Sequence, residues 1–412
     1  MATLSSARPA RLPGARRRPD PMRADPEKLN SETFDVAIVG GGITGAMVAW
    51  EASLRGLSVV LLERGDFASG ATGTGTRLIH GGFGQWHPRQ VQTVRLALQE
   101  RQYWLFAAPH LVQPLPVLLF PGNRLKHIVH RAAMALHDRM DSESGLPPGR
   151  TASPDEIVKA LPFAQRRPGG ALLRHEASVA FPERLVIAAL QGAVARNARV
   201  ANHVQVAGIQ AGKEGLELRF RDRIANCAGK CRARAVVNAS GAWADLLATP
   251  EDKDGGLSRI ARMYLVTPQL SRGFAVANLP APHQHFVVPW QGHSLIGAAT
   301  RILAGDPDDA EVDESQIRDL LKDTNQAFPG LNLERENVLH AQASIQAPAS
   351  ASFAGIEVPE IRSHPSVKII SLAGGHLTMA RRTAQEIVDR LSDLPSQSIA
   401  TALPGGNREE PS

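Results

Sequence analysis

Residues 34–63 constrain the fold of this chain more than any other stretch. An apolar run, Val36-Ala37-Ile38-Val39, feeds Gly40-Gly41-Gly42-Ile43-Thr44-Gly45; a small-residue helical stretch follows, and Val59-Val60-Leu61-Leu62 ends in Glu63. The order is strand, glycine turn, helix, second strand and terminal carboxylate. Gly40, Gly42 and Gly45 fit G-x-G-x-x-G. The first permits a tight turn, the second lets backbone approach a pyrophosphate, and the third lets the helix pack on the strand. Ile43 and Thr44 open the helix, whose free N–H groups and positive dipole end face the phosphates. Glu63, about 20 residues on, stands where a ribose hydroxyl needs an acceptor. The segment predicts a dinucleotide site. A glycine turn in an α/β unit that binds nothing is the other reading.

With 412 residues the chain can hold two domains with substantial cores. The formal net charge is +6, but residues 1–28 carry seven basic and three acidic side chains, so the remainder is close to neutral. No nucleic-acid surface is expected. Residues 1–30 are rich in Pro and Arg and read as a disordered basic tail, and residues 401–412 read as a disordered tail. Prolines break the amphipathic helix of a transit peptide, and no apolar core follows Arg16-Arg17-Arg18 as an export signal requires. Met22 is a second candidate start. No stretch approaches the ~18 apolar residues of a membrane-spanning helix, and residues 111–120 are broken by Pro114 and Pro116. Cys227 and Cys231 make no disulfide framework and read as flanking a hairpin tip, where a bridge is open and a metal site is not expected. A reducing cytoplasm is the expected compartment.

Helical patterns cover 90–106, 184–197, 313–327 and 377–391, and strand patterns cover 199–206, 214–221, 231–237, much of 262–300, and 367–372. Residues 123–140 place Leu125, Ile128, Val129, Ala132 and Leu136 on one helical face, with Arg124, Lys126, His127 and Arg131 around it. Two readings stand: packing on the parent domain, which is preferred, or peripheral contact with the inner face of a membrane. The fold class is α/β. A Rossmann-like dinucleotide-binding domain is assigned to 31–110, 170–255 and 350–400. A second, mainly antiparallel β substrate domain takes 111–169 and 256–349.

Six motifs then occur in order: the opening unit with Glu63; Asp66-Phe67-Ala68-Ser69-Gly70-Ala71-Thr72; Leu78-Ile79-His80-Gly81-Gly82; Asn238-Ala239-Ser240-Gly241-Ala242-Trp243; Pro289-Trp290 with Leu295-Ile296-Gly297; and Ala373-Gly374-Gly375-His376-Leu377-Thr378. Together they resemble the FAD-dependent glycerol-3-phosphate dehydrogenase branch of the D-amino-acid-oxidase-like flavoproteins. The resemblance runs from about Phe34 to Gly406, without that branch's helical C-terminal domain. It implies a glutathione-reductase-like FAD domain, with Gly40, Gly42 and Gly45 on the pyrophosphate and Glu63, followed by Arg64, at the adenosine ribose. Ser69, Thr72, Thr76 and Arg77 would line the phosphates and flavin. Val204 would touch the adenine through its backbone, and Gly241 and Trp243 would close over the cofactor. Gly374, Gly375, His376, Leu377 and Thr378 would face the flavin edge where negative charge develops.

Departures from the branch bear on substrate. His-Gly-Gly is followed by Phe83-Gly84-Gln85 instead of Leu-Arg-Tyr, and Gly-Gly-Lys is Gly374-Gly375-His376. The Gly-Val-Arg-Pro segment falls near Ser344-Ile345-Gln346-Ala347, and Lys-Gly-Ser-His aligns with Ala261-Arg262-Met263-Tyr264. The expected phosphate-holding cations are thus absent from all three of their places. Arg77, Arg262 and Arg301 are the residues positioned to compensate. The expected activity is hydride transfer from a small alcohol, not necessarily phosphorylated, to flavin N5, with an acceptor that is a quinone, oxygen or a protein. An amine or amino-acid oxidase and a flavin-binding protein without turnover are the alternatives. His376, Tyr264 and His80, in that order, are the candidate bases. His283, His285 and His293 read as exposed strand or turn residues, and no spacing among histidines indicates a metal.

Overall fold

The computed structural model describes residues 22–82, 91–162, 170–247, 257–278, 285–303, 305–310, 312–347, 351–353 and 356–406. The first sheet is built on β1 (Thr33–Val39), β2 (Val59–Leu62), β7 (Arg199–Ala201), β10 (Cys227–Asn238) and β19 (Ile369–Ala373). These five run parallel in the order β19-β10-β1-β2-β7. Alternation of side chains explains why both faces are apolar. Val36, Ile38, Val59 and Leu61 pack with α1 (Ile43–Leu54), α5 (Pro182–Val194) and α7 (Ala380–Asp389). Ala37, Val39, Val60 and Leu62 pack with β8 (Val204–Gly212) and β9 (Gly215–Asp222), which form an antiparallel meander with β10. β18 (Glu360–Ser363) closes the far edge, antiparallel to β19.

The second sheet runs β15 (His340–Gln346), β11 (Arg259–Pro268), β14 (His293–Leu303), β13 (Phe286–Trp290), β12 (Ala275–Asn278), β4 (Val112–Phe120), β6 (Leu172–Val179) and β3 (Leu78–Ile79), with β5 (Arg150–Thr151) beside β6. Within this sheet, only β12 and β4 pair in parallel among the described residues. One face carries α6 (Glu314–Ala327), whose Ile317, Leu320 and Leu321 cluster with Met263, Leu265 and Ile296. Period two therefore turns the alternate β11 residues, Arg262 and Tyr264, to the opposite face. β16 (Ala351–Phe353) and β17 (Ile356–Val358) form a separate hairpin. α2 (Val91–Ala107), α3 (Arg124–Met140) and α4 (Pro154–Ala160) complete the helices.

Several expectations are corrected. The boundary at residue 170 assigned β6 to the cofactor unit, but β6 is in register with β4 from Leu172 to Val179 and belongs to the second sheet. Residues 22–30 are not a loose tail: Arg23 pairs with Asp222 at 2.9 Å, and Leu29 is buried against the meander. Residues 401–406 also pack, with Leu403 buried and its N–H on the Ala107 carbonyl. Cys227 and Cys231 both lie within β10 after the turn, four positions apart along one strand, and both are free thiols. Burial pushes the Cys231 thiol up to about 12. His285 is buried, not exposed, and His283 lies outside the described residues, as do residues 83–85. On α3 the apolar stripe points outward, while Met134 and His137 face inward. No described helix is long and apolar enough to cross a membrane.

Candidate active site

In the first sheet β2 lies on one side of β1 and β10 on the other, so chain leaving the carboxyl ends of β1 and β10 diverges. That is the switch point at which open parallel sheets bind ligands. A cavity of about 890 Å³ lies there. Glu63, Arg64 and Val204 wall the β2 side; Gly374, Gly375 and His376 wall the β19 side. Three strand spacings separate the two sides, roughly 14 Å. Between them stand Gly40, Gly42 and the start of α1, with Ser69, Thr72 and Thr76 opposite, and Gly241 and Trp243 at the rim.

The local chemistry explains this shape. A methyl at Gly40, whose φ is +108°, would lie 2.5 Å from the Ala239 carbonyl oxygen, so the turn sits flush against the end of β10. A methyl at Gly45 would lie 2.0 Å from the Gly40 oxygen. Gly45 thus seats α1 on the turn and does not itself reach the cavity wall. Thr72 Oγ accepts the Ile43 N–H at 3.1 Å, tying the small-residue loop to the helix start. The Glu63 carboxylate accepts the Gly41 N–H at 2.6 Å and the Gly65 N–H at 2.7 Å, leaving lone pairs on both oxygens for a diol. Arg64 lines the cavity, but its guanidinium is turned to Asp308 and lies 4.4 Å over the Trp243 ring, while the Trp243 indole donates to Asp308 at 2.9 Å. These three side chains close the rim.

His376, His80 and Leu377 line the β19 side, and Tyr264 of β11 lines the same cavity. The two imidazoles are edge-to-face with centroids 4.8 Å apart. His80 Nδ1 accepts the Gly82 N–H, and His376 Nδ1 accepts the Thr378 N–H, each at 3.2 Å. A backbone N–H can only donate, so both Nδ1 atoms carry lone pairs and both neutral rings hold their proton on Nε2. Burial lowers His80 to about 4. Burial, the His80 ring and Arg262 put His376 well below the ordinary histidine range. At neutral pH both are hydrogen-bond donors. Thr378, expected at the flavin edge, is fully buried behind the wall, its N–H on His376 and its hydroxyl accepting the His80 N–H at 3.2 Å.

Arg262 lines this end of the cavity, and its charge acts on His376. Arg77 reaches the wall, but its guanidinium donates to the Ala180 and Gly73 carbonyls and stacks over Trp290 at 4.4 Å. Arg301 alternates away from Thr300 on β14 and does not line the cavity. Arg262, Tyr264, Thr300 and Gln346 share the wall. Thr300 and Gln346 were not singled out as site residues. Gln346 could have been, because it stands in the segment where the resemblance expects an arginine.

A buried ionic cluster lies under the His80 turn. Glu176 accepts from Gly81 N–H at 3.0 Å and from Arg101 at 2.6 Å, and Arg174 lies 2.7 Å from its other oxygen, off hydrogen-bond alignment. Arg101 also pairs with Asp141, and His137 Nε2 lies 3.4 Å from the Gly81 carbonyl. Burial alone would raise the Glu176 carboxyl, but Arg174 and Arg101 hold it at about 2. Burial and then Arg174 lower His137 to about 3.

These shifts fix the acid behaviour of the fold. Between about pH 6.5 and 4 the unfolded chain takes up histidine protons that the folded chain refuses, so stability falls as pH falls. Glu176 adds its own loss only below about pH 4.5. From pH 7 to 5 the expected loss is about 2 kcal/mol for each of His80 and His137. Urea midpoints at the two pH values check this; an unchanged midpoint would mean that these rings take up protons in the fold.

The long cavity, glycine turn, hydroxyl-lined loop and terminal carboxylate fit a dinucleotide, and the imidazole-walled end fits a redox ring. Residues 35–390 match the family model described as FAD dependent oxidoreductase. The chain is 28% identical to a glycerol-3-phosphate dehydrogenase of Synechocystis sp. over 93% of this chain and 75% of that one. It is also 28% identical to D-erythritol 1-phosphate dehydrogenase of Brucella abortus, over 91% and 78%. The fold superposes with a TM-score of 0.73 on glycerol-3-phosphate dehydrogenase from Bacillus halodurans complexed with FAD, at 24% identity over 93% of this chain and 70% of that one. Glycine oxidase from Geobacillus kaustophilus gives 0.68 at 20% identity, over 92% and 100%. No group of histidines, cysteines and carboxylates that could hold a metal occurs among the described residues. With the family model spanning nearly the whole chain beyond its basic N-terminal segment, the protein belongs to the FAD-dependent oxidoreductases.

Proposed function

We propose that this FAD-dependent oxidoreductase of the glycerol-3-phosphate dehydrogenase type oxidises the CH–OH group of a small alcohol bearing one anionic end, held by Arg262. The observation that carries the proposal is the shared wall of Arg262, Tyr264, Thr300 and Gln346 beside His376. One guanidinium with neutral hydroxyl and amide donors suits a single anionic group; it replaces from a new strand position the cations missing elsewhere.

When bound, FAD would supply the hydride-accepting chemistry. Glu63 and the start of α1 are the residues that would hold its ribose and phosphates. His376 and His80 line the same end of the cavity with their protons on Nε2, and His376 would hold and orient the substrate oxygen as a donor. The preference for His376 as base gives way to this donor role, because its one lone pair is occupied by Thr378 N–H. That leaves Tyr264 as the candidate to accept the alcohol proton, a role a tyrosine fills only as the phenolate. Cytoplasmic residence remains part of this reading.

The amino-acid-oxidase reading uses the same Arg262 for a carboxylate. The alcohol reading is favoured by the relatives' names, which are polyol-phosphate dehydrogenases.

His376→Gln keeps an N–H donor near the Nε2 position, whereas His376→Ala removes it. The donor role predicts flavin reduction slowed about tenfold or less in the first and about 10²–10³-fold in the second. Equal and severe losses in both, measured by anaerobic stopped flow, would return His376 to the role of base. Wild-type rates in His376→Ala would remove it from the reaction altogether.

A further inference from the structure

We infer that Thr378 is a positioning residue that sets both imidazoles at the substrate end of the cavity while standing outside the cavity itself; the inference rests on the donor role proposed for His376. β3 ends at Ile79, so the His80-Gly81-Gly82 turn leaves the sheet there. The three successive N–H groups of this turn go to side chains. His80 N–H donates to the Thr378 hydroxyl and Gly82 N–H to His80 Nδ1, each at 3.2 Å, and Gly81 N–H donates to Glu176 at 3.0 Å. Thr378 and Glu176 stand 298 and 95 residues away in sequence. A turn hung on side chains is placed only as well as those side chains are themselves held.

Thr378 is held on every side. It lies in the single turn Leu377–Met379 that opens α7, and His376 caps that turn. His376 Nδ1 takes the Thr378 N–H at 3.2 Å, as a serine or asparagine oxygen does at an ordinary helix start, and this fixes the ring against the helix. The Thr378 carbonyl accepts the Trp104 indole N–H at 2.9 Å, and both side chains are fully buried. The hydroxyl faces the His80 backbone twice, accepting its N–H at 3.2 Å and lying 3.5 Å from its carbonyl oxygen. The β-branch restricts χ1 and so keeps the hydroxyl aimed. One buried residue thus holds His376 by its backbone and His80 by its side chain, which sets the edge-to-face contact of the two rings at 4.8 Å. Thr378 does not line the cavity, so exchanging its side chain leaves the wall made of the same groups.

The experiment uses the full-length FAD-loaded protein with nitrogen-15 in its histidines, the two rings being assigned with the His80→Gln and His376→Gln proteins. Thr378→Val keeps the shape and the backbone N–H and removes only the hydroxyl. It should retain its flavin and the His376 signal of a capped Nδ1, and shift the His80 ring signals. Anaerobic reduction by glycerol 3-phosphate should slow about 10–10²-fold. The half-saturating concentration should stay within about twofold, because the anionic end rests on Arg262. Thr378→Ser keeps the hydroxyl but turns more freely about χ1, so it should restore the His80 signals and bring the rate within about threefold of wild type. Thr378→Ala removes the same hydroxyl from a smaller side chain and should repeat the valine pattern, which keeps the test open if the valine variant does not fold. Wild-type imidazole signals in a hydroxyl-free variant, or a serine variant as impaired as the valine one, overturns the proposal. The spectra need no turnover, so they decide the positioning role even if glycerol 3-phosphate reduces none of the proteins, a result that counts against the proposed activity alone.

Discussion

Gly45→Ala is expected to fold into a protein that retains almost no FAD. The added methyl would lie 2.0 Å from the Gly40 carbonyl oxygen, a backbone atom inside the turn that a dinucleotide must approach. No rotamer can relieve that contact, since both atoms are fixed by backbone, so α1 must move outward as a body. Eleven of the twelve residues of α1 are buried, several of them against α5 and α7, and the shift therefore strains the core as well as the turn. Overpacking of this kind costs about 1–3 kcal/mol in stability. Displacement of the helix start by even about 1 Å removes N–H contacts to the phosphates, and a loss of about 10³ in FAD affinity is expected. Gly56→Ala is the control: its φ is +78°, but a methyl there meets nothing within 4 Å. It should cost stability only and keep the protein yellow. Flavin per chain after gel filtration reads the difference, and full occupancy in Gly45→Ala would show that the turn does not set the cofactor site.

Glu176→Ala should be among the most destabilising single changes in the molecule. Glu176 and Arg101 are fully buried and Arg174 nearly so, and with Asp141 they form two cations and two anions under the His80 turn. Removing one anion leaves buried positive charge uncompensated and strips Gly81 N–H of its acceptor. Breaking a buried pair in this way costs about 3–5 kcal/mol, a large part of the total stability of a typical domain. Glu176→Gln retains an acceptor for Gly81 but not the charge, so it should rescue only a minor part. Urea denaturation at pH 7 measures both. A shift worth less than about 1 kcal/mol in Glu176→Ala would mean that water reaches the two guanidinium groups.

The cofactor half of this architecture was legible because its rules are local. Val36–Val39, the glycines to Gly45, and Glu63 are close in sequence, and each position has a physical reason to be what it is. Nearly all of the residues named for the cofactor do line one cavity; Gly45 and Thr378 stand behind it, one as a packing contact and one as the partner of both histidines. The ionic cluster was not legible, since Arg101 and Glu176 are 75 residues apart and nothing local marks either as buried. Periodicity on α3 identified the apolar face correctly but carries no information on which way a face turns. The same limit left Arg262 level with Arg77 and Arg301: alternation along β11 separates it from Met263 and Leu265, but only the packing of α6 says which side is the core. Edges were misjudged for a related reason. Residues 22–30 and 401–406 are polar and proline-containing, yet a single buried leucine in each, Leu29 and Leu403, is enough to dock them.

Arg262 makes the central claim testable in a single measurement. The FAD-loaded protein is mixed anaerobically with glycerol 3-phosphate, glycerate, glycerol and small amines, and flavin absorbance is followed. Bleaching by an anionic alcohol is predicted, with neither glycerol nor an amine matching it, and Arg262→Met should need about a hundredfold more of that donor for the same rate. Bleaching by amines instead of alcohols, equal bleaching by uncharged glycerol, or no bleaching by any of them would contradict the account.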